Sequence, residues 1–229
     1  MKKQLSLHEE IVLLALNDDK GTFSAGMFVY ALGGAMVSEL LLQGKIAAGK
    51  DKKQKVNVKD GAPTGDPILD ELLQLITESK KPKSLQDWVF KASNTRRLSH
   101  RIAEQLCEKG ALKQDEKKVL WLFTRQVYPE LDGSWEDAVR NRMAAVMFGQ
   151  NALPDERTAV LIALASQSGL LKPNFEKEKL RRHKSRIKQL ASGKLLAAGA
   201  TQSAIEAIQV AVLVATMIPI MAAATTSSS

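Results

Sequence analysis

The side chains in this sequence with the clearest capacity for chemistry are its cations. Lys45, Lys50, Lys52, Lys53, Lys55 and Lys59 fall within residues 45–60 against only Asp51 and Asp60, a local net charge of +4. Residues 172–194 hold nine basic residues against Glu176 and Glu178, a net of +7. The two segments carry +11 in a chain whose net charge is +8 over 229 residues, so the remainder is slightly acidic. Positive charge gathered in this way suits a polyanion, either the phosphates of a nucleic acid or an anionic lipid leaflet. The plainer reading is solubility, since Lys-rich loops and helix faces are most often simply solvated.

Residues for bond-making chemistry are fewer. Cys107 is the single cysteine, and His8, His100 and His183 are far apart with no pair at metal-ligand spacing. A disulfide framework, a Cys-based zinc site and any metal or cofactor are therefore not expected. No P-loop, G-x-S-x-G, H-E-x-x-H or G-x-G-x-x-G occurs. His100 beside Arg101 and Glu104 has the residue types of a general base, but no nucleophile accompanies it, and it reads as an exposed helix residue. Asp18–Asp19 reads as the polar close of the first helix, and Glu136–Asp137 as acids at a helix start, where the dipole favours them. Trp88, Trp121 and Trp135, one per element, read as core or rim aromatics. The chain reads as a non-enzyme.

Helices must position most of these residues. Ser6 with Glu9 forms a capping box ahead of Leu7, Ile11, Leu14 and Ala15 at helical spacing. A second helix is predicted over about Met27–Leu42, with Gly33 and Gly34 permitting close packing. Asp66–Pro67 starts a third, and Ser84 and Ser134, each with an acid three residues on, read as further caps. The last helices are predicted over Asp155–Gln167, Glu176–Ala191 and Thr201–Met221. Two hairpins are expected. One joins Lys45–Ala48 to Lys55–Val58, and the other sets Val119–Thr124 against Ala111–Leu112 across a polar turn at Gln114–Glu116. A helix, a glycine stop and a short hairpin thus recur after Gly44 and Gly110, with a weaker third copy at Gly169. The uncharged stretch from Ala207 to Ser229 approaches a bilayer span in length but contains Pro219, and reads as a buried terminal helix. Met1–Gln4 followed by His8, Glu9 and Glu10 does not read as a secretory leader, so a reducing cytoplasm is expected.

The motifs, taken as a set, resemble one family. Leu5–Leu16 is similar to the L-x-L-x-E-E-x-x-L-L opening of the Golgi phosphoprotein 3 family, and Glu39–Ile46 to its E-L-x-L-x-G-[RK]-[LI]. Ala62–Asp66 with Leu69–Asp70–Glu71 resembles its A-P-T-G-D followed by L-D-E. Leu106–Leu112 and Asp155–Thr158 add two more matches, in order, between about residues 5 and 215. The resemblance implies a mainly α, single helical domain over residues 1–229 with a protruding β-hairpin at about 45–60. It also implies a non-enzymatic peripheral membrane protein that recognises phosphatidylinositol 4-phosphate, on the cytoplasmic face of a membrane (the Golgi in a eukaryote). The family's head-group Trp and Arg positions fall on Ser24 and Gly33, and its central-helix Arg pair on Arg96 and Ser99. These departures fit a bacterial or otherwise divergent member.

The expected lipid site is therefore Arg96, with Arg97 and Arg101 nearby as further head-group residues. Lys50, Lys52, Lys53 and Lys55 are expected to lie on the membrane surface. Partners would be anionic phospholipid or phosphoinositide membranes and the cytoplasmic tails of membrane proteins, with self-association open. The alternative from another class is a winged-helix-like nucleic-acid binder, because a helix, a glycine and a basic hairpin also outline a DNA-reading wing.

Overall fold

The computed structural model describes residues 4–17, 21–23, 28–49, 54–119, 123–149, 153–196 and 200–226. Lys50, Lys52, Lys53, Asp18–Asp19, Ser24 and Trp121 lie outside them. Ser6 opens the first helix as predicted: its backbone N–H and its hydroxyl both donate to Glu9 Oε2 at 2.9 Å. In chain order the elements are α1 (Leu7–Ala15), β1 (Leu16–Asn17), β2 (Thr22–Phe23), α2 (Phe28–Leu42), β3 (Ile46–Ala48), β4 (Val56–Val58), α3 (Pro67–Thr77) and α4 (Leu85–Ser93). There follow α5 (Leu98–Glu108), β5 (Asp115–Val119), β6 (Phe123–Val127), α6 (Ser134–Phe148), α7 (Glu156–Gln167), α8 (Leu171–Asn174), α9 (Lys177–Arg182), α10 (Lys184–Ala191) and α11 (Gln202–Thr226). The fold is mainly α, with three separate two-stranded antiparallel ribbons, β1–β2, β3–β4 and β5–β6.

The centre is α2, of which only Val29 and Leu42 escape full burial. A helix this apolar has no solvent face to spare and must be covered on all sides. Its glycine pair makes that possible. A Cβ at Gly33 would lie 2.5 Å from the Val89 carbonyl of α4, and one at Gly34 would lie 2.6 Å from Val214 Cγ2 of α11. Two neighbouring helices, α4 and α11, therefore sit against bare backbone. The buried apolar residues of α1–α7, α10 and α11 form one contiguous cluster.

The repeated glycine stops share one geometry. Gly44, Gly110 and Gly169 have φ of +68°, +75° and +77°. The residue after each donates back to the last turn: Lys45 to Leu40, Ala111 to Leu106 and Leu170 to Ala165, all at 2.9 Å. This is the six-to-one closure of a Schellman motif, which needs a left-handed residue and therefore favours glycine.

Four expectations need correcting. The second hairpin sits later than its hydrophobic run suggests: Asp115–Val119 is itself a strand, paired with Phe123–Val127. Residues 115–117 are exposed with no second sheet behind them, so nothing demands apolar residues there. The helix expected over Glu176–Ala191 is divided at His183, whose φ of −102° and ψ of 15° leave the helical range while its Nδ1 engages the Lys179 carbonyl at 3.0 Å. Ser134 is the first helical residue of α6 rather than its cap, and its hydroxyl donates to Asp132. His100 is only half exposed, because its ring joins a small aromatic cluster with Phe23 and Tyr128.

Up to Met217, the last residue of the uncharged terminal stretch whose burial is described, α11 packs one face on the core and leaves Val212 and Thr216 exposed. Ala204, Ala207, Val210, Ala211 and Val214 of α11 are sealed against the core. Among the described residues no helix is long and apolar enough to cross a membrane. The first hairpin is anchored along its strands, where Ile46 and Val56 are buried and Ala48 N–H donates to Glu206 of α11 at 2.8 Å.

Candidate functional site

Two regions gather polar side chains. The first is an open cleft of about 690 Å³ onto which all five sequence motifs converge. Ser6 and Glu9 come from the start of α1, Glu39 and Gln43 from the end of α2, and Thr64, Gly65 and Asp66 from the turn before α3. Lys109 follows α5 and Arg157 opens α7. Local chemistry explains the turn: Gly65 is left-handed at φ +84°, and Thr64 donates to Asp70 at 2.6 Å from both its N–H and its hydroxyl. Asp66 then caps α3, accepting from Ile68 N–H at 3.0 Å and Leu69 N–H at 3.3 Å.

Nearly every charge in this cleft is answered. Glu39 accepts from both terminal nitrogens of Arg157, at 3.1 and 2.7 Å, and from Leu7 N–H at 2.8 Å. Arg157 also donates to the Leu5 carbonyl at 2.7 Å, so this one pair joins the start of α1 to α2 and α7. Lys109 binds Glu9, and Arg142 binds Glu10 beneath the cleft at 2.7 Å. His8 Nε2 lies 3.1 Å from Asp66 Oδ2 with the ring fully buried. Burial alone would raise the Glu39 and Asp66 carboxyls, but Arg157 and His8 respectively hold both below the ordinary range. Burial does push Glu10 up, and Arg142 only partly offsets it. Paired in this way, these side chains fix helix positions and leave little charge to offer a ligand, although Glu10 Oε2 and the Nε atoms of Arg142 and Arg157 are buried without a hydrogen-bond partner among the described residues.

The second region is a cavity of about 490 Å³ lined by Phe23, Arg97, His100, Glu116, Thr124, Arg125 and Gln126. Arg97 precedes α5 with a left-handed φ of +53°, a conformation costing a non-glycine residue about 1–2 kcal/mol. That turn carries its guanidinium to Gln126 Oε1 at 2.8 Å and to within 3.4 Å of Glu104. Arg125 sits on β6 directly opposite Lys117, and like charges facing each other across a ribbon repel. Among the described residues Arg125 has no hydrogen-bond or ion-pair partner. Behind the cavity, His100 Nδ1 lies 3.1 Å from the Tyr128 hydroxyl. Burial, then the nearby Arg97 and Arg125 charges, push the His100 imidazole below its ordinary value, and burial pushes the Tyr128 hydroxyl up to about 12. Convergent cations beside polar groups and an aromatic wall can receive an anion.

The expected site residues separate between these regions. Arg97 lines the cation cavity, and Arg96, its chain neighbour, is exposed without a partner among the described residues. Arg101 points to the motif cleft instead and pairs with Glu71 at 2.5 Å. Lys55 is exposed beside the bridge from the first hairpin to Ser84, while Lys50, Lys52 and Lys53 fall outside the described residues. The Gly33 position, where the family would place an arginine, is covered by α4. Sequence reasoning missed Arg125 and the role of His100. A strand ending at Thr124 excluded Arg125 by one residue.

Among the described residues no group of three or more His, Cys, Asp or Glu side chains is placed to hold a metal ion. The family model described as Golgi phosphoprotein 3 (GPP34) matches residues 7–208. Vacuolar protein sorting-associated protein 74 of Eremothecium gossypii is 30% identical over 168 residues, which cover 64% of this chain. The chain spans about half the length of that curated relative, 50% of which is covered. With the family match running almost end to end over the motifs that build the cleft, the chain belongs to the Golgi phosphoprotein 3 (GPP34) family, whose members are non-catalytic, lipid-associated peripheral proteins.

Proposed function

We propose that this protein is a membrane-surface adaptor that takes a phosphoinositide head group, of the phosphatidylinositol 4-phosphate type, in the cavity between α5 and β6. The observation that carries this reading is the convergence of Arg97 and Arg125 on one cavity, with Arg96 alongside. A phosphate there would meet two guanidinium groups able to form charge-assisted, bidentate bonds. Lys50, Lys52, Lys53 and Lys55 of the first hairpin would add nonspecific attraction to an anionic leaflet, about 1 kcal/mol each near the surface. Residues 1–229 would act as one domain, on the cytoplasmic face of its membrane, with the tails of membrane proteins as partners. The name of the Eremothecium gossypii relative, which refers to vacuolar protein sorting, supports a place in membrane traffic. A groove-reading role for nucleic acid is disfavoured, because α2, the helix that precedes the basic hairpin, is buried and has no face to present.

Vesicle co-sedimentation tests the proposal. The wild-type chain should pellet with phosphatidylcholine vesicles containing phosphatidylinositol 4-phosphate. Changing the four hairpin lysines to Gln should weaken binding more than about tenfold. Sedimentation no better with anionic than with neutral vesicles would overturn it.

A further inference from the structure

One group in the cation cavity has a charge that is not fixed. His100 is half-buried, with Nδ1 engaged by Tyr128 at 3.1 Å and Nε2 without a hydrogen-bond partner among the described residues. Charged and titratable groups face it from several elements. Arg97 stands in the turn before α5, Glu104 lies one turn along α5, Glu116 and Arg125 come from β5 and β6, and Tyr128 follows β6. The Phe23 ring of β2 closes the remaining side, edge-on with centroids 5.4 Å apart.

The Tyr128 hydroxyl suits either state of the ring. It donates to an unprotonated Nδ1, or accepts from a protonated one while donating to Gln126 Oε1 at 3.4 Å. His100 can therefore be neutral or charged without stranding a buried polar atom. With the cavity empty, the two guanidinium charges and partial burial favour the neutral ring. A phosphate monoester carries about 1.5 to 2 negative charges at neutral pH, whereas a phosphodiester carries about one. Two arginines exceed the single charge of a phosphodiester, so part of their repulsion of a charged ring remains. A fully ionised monoester cancels both guanidinium charges and removes that repulsion, and Glu104 then favours a charged His100 as a third cation.

Resting on the head-group reading above, we propose that His100 contacts the bound phosphate through Nε2 and takes a proton from solvent as it does so, which makes this cavity selective for phosphate monoesters over phosphodiesters. His100 and Arg125 are then the residues that set the class of lipid recognised.

Isothermal titration calorimetry on the full chain tests this, in two buffers of different ionisation enthalpy near about pH 7.5, where both a free imidazole and a monoester are already mostly deprotonated. The probes are glycerophosphoinositol 4-phosphate, glycerophosphoinositol and inorganic phosphate. The monoester should bind with net proton uptake, and the diester should bind weakly with none. His100→Gln should abolish the uptake. Arg125→Gln, at an exposed position, should weaken the monoester about tenfold and move the His100 titration upward in NMR of the free protein. Binding without proton uptake, or uptake that persists in His100→Gln, overturns the inference and leaves the head-group reading intact. Equal affinity for inorganic phosphate with His100-dependent uptake upholds the proton step but removes the lipid reading. No binding of any probe removes both.

Discussion

The motif cleft and the cation cavity use the same kinds of side chain to opposite ends. In the cleft, Glu39 is 4% and Arg157 18% exposed by side chain, and each satisfies the other and a neighbouring strand of backbone. In the cavity, Arg97 is 54% exposed by side chain and reaches only a long contact to Glu104 and a neutral amide. The motifs that make the family recognisable thus mark where helices are locked together. The capacity to hold an anion lies about one helical turn away, where charge is left unanswered. A residue's presence in a recognised motif and its availability to a ligand are separate properties, decided by burial and pairing.

The contrast can be broken from either side. The largest effect is expected from Glu39→Ala, which leaves Arg157 buried without its carboxylate and removes the acceptor of Leu7 N–H. Urea unfolding should show a loss of about 3–5 kcal/mol. If the two regions are independent, head-group affinity measured below the unfolding transition should not change. Gly33→Ala is next, since its Cβ would sit 2.5 Å from the Val89 carbonyl; overpacking should cost about 1–3 kcal/mol. A stable, well-packed Gly33→Ala protein would reopen that position as part of a head-group site.

The smallest effect concerns pH. The folded state holds His100 below its ordinary value, so below about pH 6.5 the unfolded chain binds the extra proton first. Stability contributed by the neutral ring is present above that pH and is lost as pH falls through the depressed folded value. The Asp66 and Glu39 contributions follow the same direction at lower pH, since both carboxyls are held down and lose their stabilisation only in stronger acid. The thermal midpoint of the wild type should therefore fall faster with acidification than that of His100→Gln, from about pH 6.5 down. Parallel curves would show that the ring does not feel its arginine neighbours.

Local signals carried much of the fold. Ser6 with Glu9, Asp66 with Pro67, and Ser84 with Asp87 each start a helix through contacts spanning three residues or fewer, so spacing alone revealed them. The glycine stops after α2, α5 and α7 were legible for the same reason, because a left-handed residue is a local requirement. The β5–β6 ribbon was not, since its polar face has no packing partner to impose alternation, and its register depends on pairing across the turn.

The candidate site divides along the same line. Sequence by itself determined where helices begin and stop, the total of positive charge and the family, because these depend on residue type and short-range geometry. Tertiary structure alone decided which cations are spent. Arg97 and Arg101 are four residues apart, yet one reaches the cation cavity and the other Glu71 on α3, 30 positions earlier. The side chain that answers a charge arrives from a distant part of the chain, and only packing fixes that distance.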